Sequence, residues 1–253
     1  MTKSEHLRKS EIVAPGGRAY HLGLAPDELA RNIFLVGDPA RAARVAAQFD
    51  HVLHEVTNRE YITYTGTYDG MPVSVIGTGI GTDNVEIAFV EAYVLNEFDL
   101  SSKTRIDGTP PMTMIRLGTS GGVQPDVRAG TLAIADYAIG LDTTSIYYEQ
   151  AAPDDRSVVI ELEARRLLNE SVSPDSRFSG FINPYVSRAN ADVTNALETA
   201  ADKLDVDFAK GITVSSPGFY GPSSRLIGGF QNTVPDIKLR LCLLYTSPSP
   251  RDL

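Results

Sequence analysis

Three short apolar runs, residues 33–36, 71–76 and 112–117, each end in a glycine-bearing turn: Gly37-Asp38-Pro39, Gly77-Thr78-Gly79-Ile80-Gly81-Thr82 and Gly118-Thr119-Ser120-Gly121-Gly122. Runs of this length, bounded by turn residues, read as buried strands. Such strands need cover on both faces, and the segments between them supply it. Pro39 suits the first turn of a helix, and Ala42, Val45, Ala46 and Phe49 follow at helical spacing. Beyond Thr82, residues Val85, Ala88, Phe89, Ala92 and Leu95 repeat the pattern, with Asp83 and Glu86 as an expected capping box and an end near Asp99. Asp69-Gly70 joins residues 61–68 to 71–76 as a two-residue hairpin. Residues 131–138 and 211–216 read as further strands, 191–204 as a helix, and the polar stretch 101–111 as a surface loop. Strands alternating with helices predict an α/β fold with a mixed central β-sheet flanked by helices, in which ligands gather at the carboxyl ends of the strands.

A chain of 253 residues, 42% of them apolar, is long enough to bury a large core, and no repeat or second-domain linker interrupts it. The expected partition is a polar N-terminal arm over 1–19, one domain over 20–240 and a tail over 241–253. The tail changes character abruptly and resembles a translated sequencing-library adapter, so the natural protein is expected to be longer and to differ after about Arg240. The formal net charge of -9 argues against a nucleic-acid partner, which needs clustered Lys and Arg, but leaves room for a small anion held by a few local arginines. No apolar run reaches the length of a membrane helix and the first residues lack a signal-peptide core, which predicts a cytoplasmic protein. One cysteine, Cys242, excludes an intrachain disulfide, and the His51/His54 pair is read as structural.

Chemistry concentrates in the three glycine turns. Each pairs glycine with arginine or hydroxyl groups: Gly37 with Arg41, residues 77–82 with Thr78 and Thr82, and Gly118 with Arg116, Thr119 and Ser120. Glycine lets backbone N–H groups approach an oxyanion, and a guanidinium offers a planar fork matched to phosphate. Together they predict a phosphate pocket.

These motifs, with Asn58-Arg59-Glu60-Tyr61, His21-Leu22-Gly23-Leu24, and Ser215-Ser216 through Phe219-Tyr220 to Arg225, occur in the order and approximate spacing of the uridine phosphorylase family over about residues 20 to 230. The chain thus resembles that family, a branch of the nucleoside phosphorylase superfamily. The resemblance implies phosphorolysis of a pyrimidine nucleoside, with inorganic phosphate as co-substrate and no organic cofactor. It implies that phosphate is bound by Gly37, Arg41, Arg116 and Thr119, with Arg59 supplied by a neighbouring subunit. His21, from that neighbour, is expected at the ribose 5′-hydroxyl. Thr119, Ser120, Gly121, Phe219, Ser223 and Arg225 would line the base site, and Arg116, Thr119 and Arg225 would carry the catalysis. Glu60 and Ile80 match positions that hold a monovalent cation, K+, between subunits in some members. Sharing residues in this way implies a homo-oligomer built on a dimer, and the family is typically hexameric.

Two departures stand out. Ser223 occupies the position where the family has a glutamine facing the uracil amide edge, which puts uracil selectivity in question. The Glu-Met-Glu segment that grips the ribose hydroxyls is expected after Gly229 and does not occur before the tail, so the chain as written is expected to be inactive or poorly folded. Rival motifs fail. The dinucleotide fingerprint needs glycine where Thr82 stands, and a hydrolase elbow at Gly118-x-Ser120-x-Gly122 needs a histidine downstream, whereas none follows His54. Purine nucleoside phosphorylases usually read Val-Gly-Ser-Cys where this chain has Leu117-Gly118-Thr119-Ser120, and hydrolytic nucleosidases lack the phosphate-binding arginines. The alternatives are a purine nucleoside phosphorylase or nucleosidase of the same fold, or an inactive nucleoside-binding fragment.

Overall fold

A computed structural model describes residues 6–8, 14–225, 228–229, 231–242 and 244. The chain divides into two compact units, Met1–Thr119 and Ser120–Leu253.

In the first unit the elements run β1 (Asn32–Val36), α1 (Pro39–Ala46), β2 (His51–Asn58), β3 (Tyr61–Tyr68), β4 (Met71–Gly77), α2 (Thr82–Glu97), β5 (Phe98–Asp99), β6 (Thr104–Arg105) and β7 (Thr113–Leu117). Five strands make one mixed sheet in the order β2-β3-β4-β1-β7. β1 lies between β4 and β7 and is parallel to both, while β2, β3 and β4 pair antiparallel. The expected mixed sheet is present. Its two faces are read from the two-residue period of the strands. Val36 and Val75 pack with Ala42 and Ala46 of α1, and Phe34 joins that side. Ile33, Leu35 and Ile76 turn the other way, onto Ala88, Ala92 and Leu95 of α2 and onto Leu22, Leu24 and Leu29 of the segment before β1.

Local chemistry explains the element ends. Asp69 and Gly70 both take positive φ, 50° and 72°, as a two-residue turn between β3 and β4 requires. Asp38 caps α1, its carboxylate accepting from the Ala40 N–H at 3.0 Å, with Pro39 in the first turn. Three expectations are corrected. The N-cap of α2 is Gly81 with no side-chain cap bond, so Asp83 and Glu86 form no capping box. Phe89 is half exposed, and the buried stripe of α2 includes Glu91 instead. The stretch 101–111 is not simply loop: β6 pairs with β5, and the Arg105 guanidinium contacts Glu97 and donates to the Tyr93 hydroxyl at 3.0 Å.

The second unit contains β8 (Leu132–Gly140), α3 (Asp155–Glu170), β9 (Tyr185–Arg188), α4 (Ala191–Lys203), β10 (Phe208–Ser215) and α5 (Ile237–Cys242). Its sheet has the order β10-β8-β9. Ile160 and Ala164 of α3 pack on Tyr137, Ile139 and Val186. Asp154 caps α3, and its carboxyl is held below the usual range by the Ser157 backbone N–H, with the Tyr137 hydroxyl and Arg188 assisting. Helix α5 runs through Arg240, and Leu241 packs with Leu168, Val172, Val234 and Ile237. Residue 243 and residues 245–253, most of the expected tail, lie outside the described residues. Among the described residues no helix is long and apolar enough to cross a membrane.

A buried relay of hydroxyls ties the segment before β1 to the sheet. Ser74 accepts from the Ala30 N–H at 2.9 Å and lies 2.6 Å from Thr65, whose hydroxyl donates to the Glu28 carbonyl at 2.7 Å. Ser74→Ala leaves that N–H without an acceptor and is expected to lower stability by about 1–3 kcal/mol. Urea unfolding measures this, and an unchanged midpoint with an unchanged slope would contradict the relay's role.

Candidate active site

Register places the glycine turns of the first unit at one sheet edge. Val36 pairs with Gly77 on one side and with Leu117 on the other, so all three chains leave the sheet at the same level. The Thr78 N–H then donates to the Val36 carbonyl at 2.8 Å, holding the second turn against the first. Gly37 and Gly79 nearly touch, and a methyl group at Gly37 would lie 3.3 Å from the Gly79 carbonyl oxygen. A side chain at Gly37 would need the facing turn to give by a few tenths of an ångström.

Two of the three expected phosphate arginines, Arg41 and Arg116, lie here. The Arg41 guanidinium reaches from α1 to the end of β7, where Nη1 donates to the Leu117 carbonyl at 3.2 Å. The Arg116 guanidinium folds back over Gly118, whose Cβ, if present, would sit 2.7 Å from Nη1, while Nη2 lies 4.0 Å from the corresponding point on Gly37. Neither arginine has a carboxylate partner among the described residues. Two permanent cations at the end of β7, one over Gly118 and one at the Leu117 carbonyl, with no carboxylate partner among the described residues, form an arrangement able to bind an oxyanion. Thr119 follows this edge and is exposed.

A second cluster in the same unit gathers the residues expected to serve a neighbouring subunit. Arg59, at the β2–β3 turn with φ 54°, stacks over the Tyr20 ring at 4.5 Å. Tyr20 meets His21 edge-on, ring centres 4.9 Å apart. The Asn58 amide donates to the carbonyls of Tyr20 and His21 at 3.1 and 2.8 Å. His21 Nδ1 lies 2.7 Å from Glu91 Oε1. Next to them, Tyr61 is fully buried, and burial pushes its phenol up to about 12, with Glu60 and Glu91 adding to the effect, so it stays a donor, to the Asn84 carbonyl. Glu60 and Ile80 are both exposed, Ile80 at 93%. Among the described residues no group of three or more His, Cys, Asp or Glu is placed to hold a metal ion.

In the second unit three of the expected base-site residues, Phe219, Ser223 and Arg225, lie in or beside one turn. Residues Gly221–Ser223 form a single 3-10 turn, the chain passes through Ser224 at φ 56°, and the Arg225 N–H closes it onto the Tyr220 carbonyl at 3.0 Å. This returns the Arg225 guanidinium over the Phe219 ring at 4.4 Å, a cation–π pair with both partners exposed. Ser223 is half-buried in the turn, and Ser120 and Gly121 are exposed.

Sequence reasoning missed Glu91. The signal was available: it falls three residues after Ala88 and four before Leu95, so a carboxylate lies on the apolar stripe of α2 and needs a partner.

Residues 31–234 match the sequence model of the Phosphorylase superfamily. This chain belongs to that superfamily. A uridine phosphorylase of Treponema pallidum is 35% identical over 205 residues, covering 81% of this chain and 62% of that protein. One from Thermococcus kodakarensis is 31% identical over 228 residues, covering 88% of this chain and 66% of that protein. The chain therefore spans less than two thirds of the length of these curated relatives. The crystal structure of Trypanosoma brucei nucleoside phosphorylase, which shows uridine phosphorylase activity, matches with a TM-score of 0.77 at 31% identity, over 90% of this chain and 76% of that one.

The convergence of Arg41 and Arg116 predicts that Arg116→Ala weakens phosphate binding on the order of 10- to 100-fold, the loss of one charge-assisted contact worth about 1.5–3 kcal/mol. Calorimetric titration with inorganic phosphate measures it. Equal affinity in the variant would remove Arg116 from the anion site.

Proposed function

We propose that the full-length protein cleaves uridine, or a related pyrimidine nucleoside, with inorganic phosphate, giving free base and ribose 1-phosphate in nucleoside salvage. A phosphate oxygen forms the bond to the sugar's anomeric carbon as the bond to the base nitrogen breaks, and the bonding pair leaves with the base. Positive charge develops on the sugar and negative charge on the base, so the chemistry requires a fixed anion beside the first and donors at the second. Gly37, Arg41, Arg116 and Thr119 take the phosphate in this reading. Arg225 meets the charge on the departing base, Phe219 packs against its ring, and Ser223, Ser120 and Gly121 complete the base contacts. The observation that supports the reading is that the Arg116 guanidinium lies over Gly118 beside Gly37 while the Arg41 guanidinium reaches the Leu117 carbonyl, neither with a carboxylate partner among the described residues.

The rest of the reading follows from the second cluster. His21 and Arg59 stand on one scaffold through Tyr20, which supports their presentation together to a neighbouring copy in a homo-oligomer built on a dimer. Glu60 and Ile80 offer one carboxylate and one carbonyl, too few oxygens for an alkali cation, so a K+ site would need the same residues from a second copy. No step of the reaction depends on it. A cytoplasmic location and small-molecule partners, rather than nucleic acid or membrane, complete the proposal and rest on the net charge and the absence of a long apolar helix among the described residues.

Incubating the full-length protein with uridine, with and without phosphate, tests the activity. Uracil release that requires phosphate and yields ribose 1-phosphate is the expected outcome. Release without phosphate would mean a nucleosidase, and preference for inosine over uridine would move the protein to the purine branch. Ser223→Gln adds the amide that Ser223 lacks, and is expected to raise the ratio of uridine to thymidine turnover by about threefold or more, equivalent to a fraction of one hydrogen bond. An unaltered ratio of kcat/KM values would place base selection elsewhere.

A further inference from the structure

The Glu91 carboxylate is 5% exposed and is directed wholly at the segment after Ala19. Oε1 accepts from the His21 backbone N–H at 3.0 Å and lies 2.7 Å from the His21 ring nitrogen Nδ1, while Oε2 accepts from the Leu22 N–H at 2.8 Å. A turn needing only its backbone satisfied would not also bring an imidazole onto the same oxygen. Tyr20 packs edge-on against the ring, and the Asn58 amide donates to the His21 backbone carbonyl. Its side chain is nonetheless 32% exposed, and Nε2 has no hydrogen bond among the described residues.

We propose that Glu91 is a positioning residue for sugar recognition: its carboxylate fixes the His21 ring in the tautomer with the proton on Nδ1, and so presents Nε2 as an acceptor for the nucleoside's 5′-hydroxyl. The inference rests on the reading above that His21 reaches the sugar. A carboxylate is an acceptor only, so the proton of the short Nδ1 contact belongs to the ring. In the neutral ring the other nitrogen then carries a lone pair and no hydrogen, and its natural partner is a hydroxyl donor. With the ring orientation already fixed, little rotamer entropy remains to be lost when the sugar binds. Glu91 thus acts through His21 and touches no reacting atom.

Two measurements test this on the full-length protein. Nitrogen-15 correlation spectra at neutral pH are expected to show His21 protonated at Nδ1 and bare at Nε2, and the opposite neutral tautomer would overturn the proposal whether or not any variant folds. In Glu91→Gln, kcat/KM for uridine is expected to fall about tenfold or more, but that for 5′-deoxyuridine less than about twofold, since the second substrate lacks the hydroxyl that His21 would meet. Equal losses on both substrates would make Glu91 merely structural and overturn its positioning role. His21→Ala separates that failure from failure of the underlying reading. If it discriminates between the two substrates, the sugar contact stands even when Glu91 proves structural. If it does not, the sugar contact and the proposal built on it both fall.

Discussion

Everything at the arginine-bearing edge of the first sheet depends on β1 being parallel to both its neighbours in a register that matches Val36 with Gly77 and with Leu117. A parallel sheet delivers successive chain ends to one side, and this register brings three of them out at one height. Glycine then decides what happens next. Because Gly118 lacks a Cβ, the Arg116 guanidinium can lie across its backbone, and Arg41 reaches the Leu117 carbonyl. Shifting β7 by one residue would send Arg116 to the opposite face of the sheet.

Charge is treated differently in the two clusters of the first unit. Arg41 and Arg116 have no carboxylate partner among the described residues, and an overall charge of -9 shows that this is not for want of acidic residues. Glu91, in contrast, is taken out of water on the buried stripe of α2 and compensated by two backbone N–H groups and an imidazole. A buried carboxylate persists only when its lone pairs are used. The first arrangement leaves electrostatic capacity for a ligand, and the second spends it on holding one ring.

Where residues near in sequence determine a feature, it was legible. The β3–β4 hairpin follows from Asp69-Gly70, the start of α1 from Asp38-Pro39, and β1 and β7 from short, mainly apolar runs. Arg41 and Arg116 were legible for the same reason, each lying within four residues of a glycine turn. Features that depend on distant partners were not. β2, with His51 and His54, reads as polar and is fixed by its pairing with β3. α3 hides its stripe of Ile160, Ala164, Leu167 and Leu168 among charged residues that pair along its surface, Arg166 with Glu163 and Glu170. β9 is four residues long and exists by pairing with β8, and Arg105 is ordered by Glu97 on another element. The role of Glu91 depends on His21, 70 residues earlier.

The central claim, that two guanidinium groups at the carboxyl ends of β1 and β7 capture one tetrahedral oxyanion, is tested most directly by a crystal structure of the protein grown with phosphate. The account predicts tetrahedral density within about 3.2 Å of nitrogen atoms of both Arg41 and Arg116, resting against the Gly37 turn. Phosphate bound elsewhere, with either guanidinium turned away to a carboxylate or to bulk solvent, would contradict it.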